Sequence, residues 1–410
     1  MRIDYLAFSL VCLLCLAACS AADKEDKEPV WTPQEWQVIQ SLALGQLSPA
    51  VDPSNRYASD RAAAELGKAL FFDARLSRNG KVSCATCHQP AQYFSDGLPV
   101  AQGTKMGSRN TPSLLGVAWN TWFFWDGRKD SLWSQALAPL EDANEHNLSR
   151  TDIVRLLLTD PAYQQQYAQV FGTSGVDVQT LPADAQPSGT IAQIQAWKAL
   201  TDTQRQAIDQ QFANMGKAIA AYVTTLKPQP GRFDQYVAAK AGQAGASSTV
   251  SMSVSELRGL RLFIGAKAQC LNCHAGSLFT NQAFHAIGTA KPGDSGRAAV
   301  VDQVRLDRFN CLGAFSDAPA TSCADLQYMQ RNRHHLIGAY KTPSLRNVGN
   351  TAPYFHDGSK ATLEEAVAHY ADSSQIQAGK TDLPAIQLDE QERQDLVDFL
   401  RTLNAVTQTP

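Results

Sequence analysis

The sequence predicts an all-α chain in which one helical unit is built twice. Three observations lead there. Leucines recur three to four positions apart in "ELGKALFF" (65–72) and again in "ELRGLRLF" (256–263), each ahead of a C-x-x-C-H motif, which is the spacing of one apolar helix face. "TPSLLGVAWNTWFFWDGRKDSL" (111–132) aligns without a gap to "TPSLRNVGNTAPYFHDGSKATL" (342–363), with ten identities in 22 positions. No run of alternating apolar and polar residues marks a set of strands.

Taken in order, the elements begin with a processing signal at 1–18. Arg2 is the only early cation, Leu6 to Leu16 is almost continuously apolar, and Leu16-Ala17-Ala18-Cys19 closes the segment. The apolar run is too short to span a bilayer and suits a signal peptide. Its ending resembles a bacterial lipoprotein signal, which puts a lipid on Cys19 and the chain in the periplasm. An ordinary secretory peptide cut nearby is the alternative. Residues 19–54 then read as a tether and N-terminal segment, with "DKEDKE" (23–28) as a solvated mixed-charge run.

Residues 55–237 form the first unit. Within it, 173–212 looks like a surface insertion with a short helix around Trp197, and "MGKAIAAYVTTL" (215–226) is a helix stopped by Pro228 and Pro230. Residues 238–253 have linker composition. The second unit, 254–405, opens on a capping box, Ser253 with Glu256. It closes on a helix capped by Asp389 with Glu392 at N3, whose Leu396, Val397, Leu400 and Leu403 make one stripe.

The formal charge of −3 leaves no nucleic-acid footprint. Of nine cysteines, Cys12 and Cys15 leave with the signal, Cys19 is the lipid site, and four form the two motifs Cys84/Cys87/His88 and Cys270/Cys273/His274. Cys311 and Cys323 remain, in a Gly/Asp/Pro/Ser-rich loop; in an oxidising compartment they pair as a disulfide, two buried thiols being the bland alternative. C-x-x-C-H attaches c-type heme through two thioethers and an iron-ligating histidine. Zinc needs two further ligands per site, and none follows at matching spacing. A redox C-x-x-C belongs beside a βαβ pattern, which is absent. Duplication in helical units therefore predicts two covalently bound hemes c, heme one at Cys84, Cys87 and His88, heme two at Cys270, Cys273 and His274. An iron capped on both faces relays electrons, whereas an open one binds peroxide.

"LGKALFFDARLSRNGKVSCATCH", "RNTPSLLGV", "FFWDGR", "CLNCHAG", "GAYKTPSLRNV" and "TAPYFHDG" resemble the bacterial diheme cytochrome c peroxidase superfamily. That superfamily includes the MauG-type enzymes, which oxidise residues on a partner protein. The resemblance covers about residues 56–403 and implies two tandem cytochrome c-like domains.

It also implies roles. The peroxidases carry a heme-capping histidine eight residues before the Asn of "RN"; here that place is Gln102, before Asn110, so heme one is expected to stay open, with Met106 of the same loop as the rival cap. Twenty residues after Trp125, Glu145 stands where the family keeps the acid/base for peroxide. Trp125 takes the place of the aromatic between the hemes, opposite His356 in the repeat. For heme two, Tyr370 falls at the second-ligand register, with neighbouring His369 as rival and no methionine beyond Met329. The segments carrying Tyr370 and Glu145 correspond in the repeat. A calcium ion is implied at Asn110 and the carbonyls of Thr351 and Pro353. His146, His285, His334 and His335 have no motif register and read as surface or propionate-side residues.

These features imply a peroxidase that takes hydrogen peroxide at heme one and draws electrons from a small c-type cytochrome or copper protein through heme two. The MauG-like alternative oxidises side chains of a protein substrate, and a non-catalytic electron-transfer lipoprotein is the reading from another class. Membrane association is expected only through the lipid anchor.

Overall fold

The computed structural model describes residues 28–48, 50–247, 249–371 and 381–405. The signal segment, Cys19 and most of the "DKEDKE" run lie outside the described residues. Helices dominate, and among the described residues the only sheet is an antiparallel pair, Phe284–Ala286 with Ala339–Lys341. No helix of the described residues is long and apolar enough to cross a membrane.

Each half is organised by one helix crossing. In the first, Arg61–Phe72 packs on Asp202–Thr224. Gly67 makes this possible, because a Cβ there would overlap the Ala218 carbonyl. In the second, Val254–Ile264 packs on Glu390–Arg401, and Gly259 sits against the Asp395 carbonyl in the same way. Equating these glycines shifts the two helices one residue from the gapless match of "ELGKALFF" to "ELRGLRLF", and pairs core Phe71 with core Phe263. Backbone approach decides the register more strictly than leucine spacing does. Phe263, Phe279, Phe233 and Phe399 fill the second core with ring centroids 5.2–6.4 Å apart. Each such buried ring is worth about 1.5–3 kcal/mol.

The long repeat is repeated in geometry. Phe123 bridges Lys129 and Tyr354 bridges Lys360. Phe124 and Phe355 both adopt left-handed backbone, φ 65° and 68°. The Leu132–Glu141 and Leu363–Ala371 helices then start at equivalent positions.

Two expectations need correction. The helix read at 215–226 begins at Asp202, capped by Thr201, so only residues up to the Ile191–Ala199 helix belong to the insertion. Apolar periodicity missed its first half, "DTQRQAIDQQ", which carries few apolar residues. Second, Phe233, Tyr236 and Val237, at the end of the first unit as read from sequence, pack in the second core. Their helix, Arg232–Lys240, overlaps the start of the expected linker. Beyond the expected tether, the N-terminal segment carries a helix. Thr32 caps the Pro33–Leu42 helix, whose Ile39 and Leu42 join the second core, and Trp31 Nε1 donates to Tyr236 Oη at 3.0 Å. The chain then crosses to the first half, where Trp133 Nε1 donates to Ser54 Oγ at 2.8 Å.

Cys311 and Cys323 are disulfide-bonded. Their loop belongs to the second half in sequence but packs on the first: Phe309 and Phe315 enter the first core, Asp307 pairs with Lys129, and Asp317 pairs with Lys217 at 2.7 Å.

Candidate active site

One cavity of about 560 Å³ reaches from the first C-x-x-C-H motif to the second, lined by Cys87 and His88 at one end and by Cys270, Cys273 and His274 at the other. The short Cys84–Cys87 helix turns His88 back, with its N–H donating to Cys84 O at 2.8 Å; His274 does the same to Cys270 O at 2.8 Å. His88 Nδ1 bonds Phe94 O at 3.0 Å and His274 Nδ1 bonds Phe279 O at 2.8 Å. Each ring is oriented by that bond, and Nε2 is the nitrogen left for a metal. Burial holds both imidazoles below their usual range, His274 at about 4, so they are neutral donors.

The four motif cysteines are unpaired. Burial pushes Cys84 and Cys270 up to about 12 and Cys87 to about 11. Thiol exchange depends on a lowered thiol pKa, so the environment opposes it. No cluster of three His, Cys, Asp or Glu side chains able to hold a metal occurs among the described residues.

Glu145 lines the cavity with His88. It follows the Leu132–Glu141 helix in a tight turn, Glu145 N–H to Asp142 O at 3.1 Å and His146 N–H to Pro139 O at 3.1 Å. Its charge is felt by both Cys84 and Cys87. Burial, reinforced by Asp142 and opposed by Arg128, raises the carboxyl to about 7, a value suited to moving protons in either direction. His146 is buried, which excludes the surface alternative of the expected surface or propionate-side placement, and its Nδ1 bonds Leu76 O at 2.8 Å, which fixes the turn.

The loop carrying Gln102 is pinned to that turn: Thr104 N–H donates to Glu145 O at 2.8 Å and Lys105 N–H to Asn144 O at 2.9 Å. Gln102 is exposed and absent from the cavity wall, while its carbonyl lies 3.9 Å from Cys87 Sγ. Met106 is 74% exposed and also off the wall. Neither side chain covers His88.

At the other end Tyr370, on Leu363–Ala371, lines the cavity, and its hydroxyl is raised by burial and by the nearby Cys270 and Cys273. Its neighbour His369 is turned away, with Nε2 bonded to Ile287 O at 2.7 Å. Residues 372–380, after the tyrosine, lie outside the described residues. Tyr370 has a repeat equivalent that sequence reading passed over. Subtracting the offset of the gapless alignment gives Pro139, which also lines the cavity. A proline offers iron no ligand.

Between the ends the halves exchange equivalent hydrogen bonds. Asn110 N–H donates to His356 O at 2.9 Å, and its repeat partner Lys341 N–H donates to Trp125 O at 2.8 Å. Trp125 Nε1 closes the set on Asn110 O at 2.9 Å. His356 is buried, and neither ring nitrogen has a hydrogen-bond partner among the described residues. Asn110, Thr351 and Pro353 also lie on the wall, and Asn110 Nδ2 is committed to Leu98 O at 2.9 Å, leaving its oxygen.

Residues 61–242 match the di-haem cytochrome c peroxidase family, and 331–404 match cytochrome c. The chain is 34% identical over 343 residues to the methylamine utilization protein MauG of Methylorubrum extorquens, covering 83% of this chain and 77% of that one. It belongs to the MauG and di-haem cytochrome c peroxidase family. It is also 27% identical to cytochrome c551 peroxidase of Nitrosomonas europaea, over 83% and 79% of the two chains. Among solved structures, the diheme peroxidase BthA of Burkholderia thailandensis superposes with a TM-score of 0.60 at 25% identity, over 90% of this chain and 93% of that one.

Membership makes heme c the cofactor, and the residues present fit it. Paired free thiols, preset imidazoles and orphaned polar atoms on a shared wall are what two covalently held, propionate-bearing hemes require. Sequence reasoning also missed Arg128. Its guanidinium sits 3.5 Å over the Phe124 ring, pairs with Asp126 at 3.1 Å, and is the cation that acts on Glu145. Half two has Ser359 there, and that asymmetry was the available signal.

Proposed function

We propose that the chain is a peroxide-dependent diheme oxidoreductase whose first heme rests with one face open and whose second is ligated by His274 and Tyr370. The observation that carries this reading is the Pro139/Tyr370 pair: at one repeat position on the cavity wall, half two has a side chain capable of ligation and half one has none. When bound, heme iron supplies the peroxide-binding and redox chemistry. The remaining work falls to side chains. Glu145, ionised above its pKa of about 7, takes the proton from incoming hydrogen peroxide and returns one to the departing oxygen. Burial raises that pKa, with Asp142 adding to the shift and Arg128 opposing it, while the 101–109 loop and His146 hold the turn that carries Glu145. Trp125, fixed by backbone groups of Asn110 and Lys341, is the stepping stone toward the second half.

The electrons come from a small c-type cytochrome or copper protein. Tyr370, in place of a methionine, and the outward Gln102 favour a second reading: MauG-like oxidation of side chains on a protein substrate, with no need for prior reduction. Oxygen donors at Asn110, Thr351 and Pro353 suit a calcium ion between the domains. The leader at 1–18, followed by Cys19, supports export to the periplasm and a lipid anchor. Steady-state turnover with peroxide and a small organic reductant tests the enzyme assignment: two-heme protein that turns over supports it, and peroxide-inert two-heme protein reduces the chain to an electron carrier.

A further inference from the structure

Four cationic side chains line the cavity. Arg109 pairs with Asp294 at 2.8 Å, Arg128 with Asp126 at 3.1 Å, and Arg346 with Asp234 at 2.6 Å. Lys341 alone has no carboxylate among the described residues. Its side chain is buried, 8% exposed, and its amine makes one hydrogen bond, to Thr342 O at 3.2 Å. An ammonium carries three donors, and a buried charge without a counter-ion costs several kcal/mol. Burial already weakens its hold on the proton, to about 8. His274 feels the Lys341 charge, so the amine belongs to the second motif's end of the cavity. The anionic groups that a heme brings into such a cavity are its two propionates.

We propose that Lys341 is the counter-ion of a propionate of the heme held by Cys270, Cys273 and His274, and that it keeps that heme's reduction potential above the value Tyr370 ligation alone would set. Reduction adds an electron to the heme, so a fixed cation beside it favours the reduced form. Half one places neutral Asn110 at the equivalent position, its amide committed to Leu98 O. The two hemes are therefore distinguished by a buried charge as well as by an axial ligand.

The inference rests on heme c at the second motif with Tyr370 as its proposed ligand, and is independent of Glu145 and of the peroxide chemistry. Its test is a spectroelectrochemical titration of the two-heme protein with Lys341→Met and Lys341→Arg, heme content being checked by pyridine hemochrome. Lys341→Met should lower the reduced-to-oxidised ratio of heme two at fixed potential by about tenfold, or about 59 mV for one electron. Lys341→Arg should keep most of the wild-type value, and heme one should move less. An unchanged heme-two potential in Lys341→Met with both hemes attached overturns the proposal. Should that variant lose heme, a crystal structure of the wild-type holoprotein decides. Lys341 Nζ within about 2.7–3.2 Å of a propionate oxygen supports the assignment, and an amine directed elsewhere refutes it. A potential shift in protein that proves inert to peroxide would uphold this inference while removing the functional reading.

Discussion

Half one puts Pro139 where half two puts Tyr370, Trp125 where half two puts His356, and Asn110 where half two puts Lys341. The scaffold under these pairs is shared down to matching bridges and left-handed phenylalanines. The difference teaches where a duplicated unit keeps its frame and where it varies. Helix crossings and histidine-orienting turns are kept in both copies, while a few cavity-facing positions differ, and in the proposed function these decide which iron meets substrate. Glu145 then needs no special fold of its own, only the turn after a helix whose last residues offer no ligand.

The sharpest way to break the comparison is to remove the group proposed to transfer the proton. Glu145→Gln should lower peroxide turnover by a factor of about 10²–10⁴ with two hemes still attached; near-wild-type turnover would show that the carboxylate is a bystander. Next, Pro139→His gives half one a ligand like that of half two. Heme one should become low-spin and its reaction with peroxide slow by at least about tenfold, read by stopped flow; a high-spin, fully reactive variant would mean that position 139 does not face the iron.

The pH profile sharpens the same point with a smaller effect. A carboxyl raised to about 7 must lose its proton before it can accept one from peroxide. kcat/KM should therefore rise about tenfold per pH unit below that value and level off above it. Glu145→Gln should lose this limb, and a flat wild-type profile would contradict the role. Smallest of all should be Cys311→Ser with Cys323→Ser. Opening the disulfide loop should cost about 3 kcal/mol or less, visible as a lower melting temperature. Heme spectra should be preserved because the loop packs against the first core from outside the cavity.

Much of this was legible in the residues. Two C-x-x-C-H motifs, a gapless 22-residue repeat and capping boxes at Ser253 and Asp389 are local signals, and they locate the halves and the heme attachments. The 202–212 stretch escaped because it is held by distant partners, Asp209 pairing with Arg150 and Arg308 and Phe212 packing on Phe309, rather than by an apolar pattern of its own. Folding of the N-terminal segment escaped because Ile39, Leu42 and Trp31 find their partners some two hundred residues away. His146 and Lys341 escaped for a similar reason, since a buried polar residue shows its role only through what it touches or fails to touch.

The claim that heme one rests open beside a tyrosine-ligated heme two is tested most directly by mixing hydrogen peroxide with the fully oxidised, two-heme protein in a stopped-flow spectrophotometer. The account predicts a fast change in the heme bands with no reductant present. It predicts also that Tyr370→Met weakens this response and that a reductant restores it. Heme bands that stay unchanged until one heme has been reduced would contradict it.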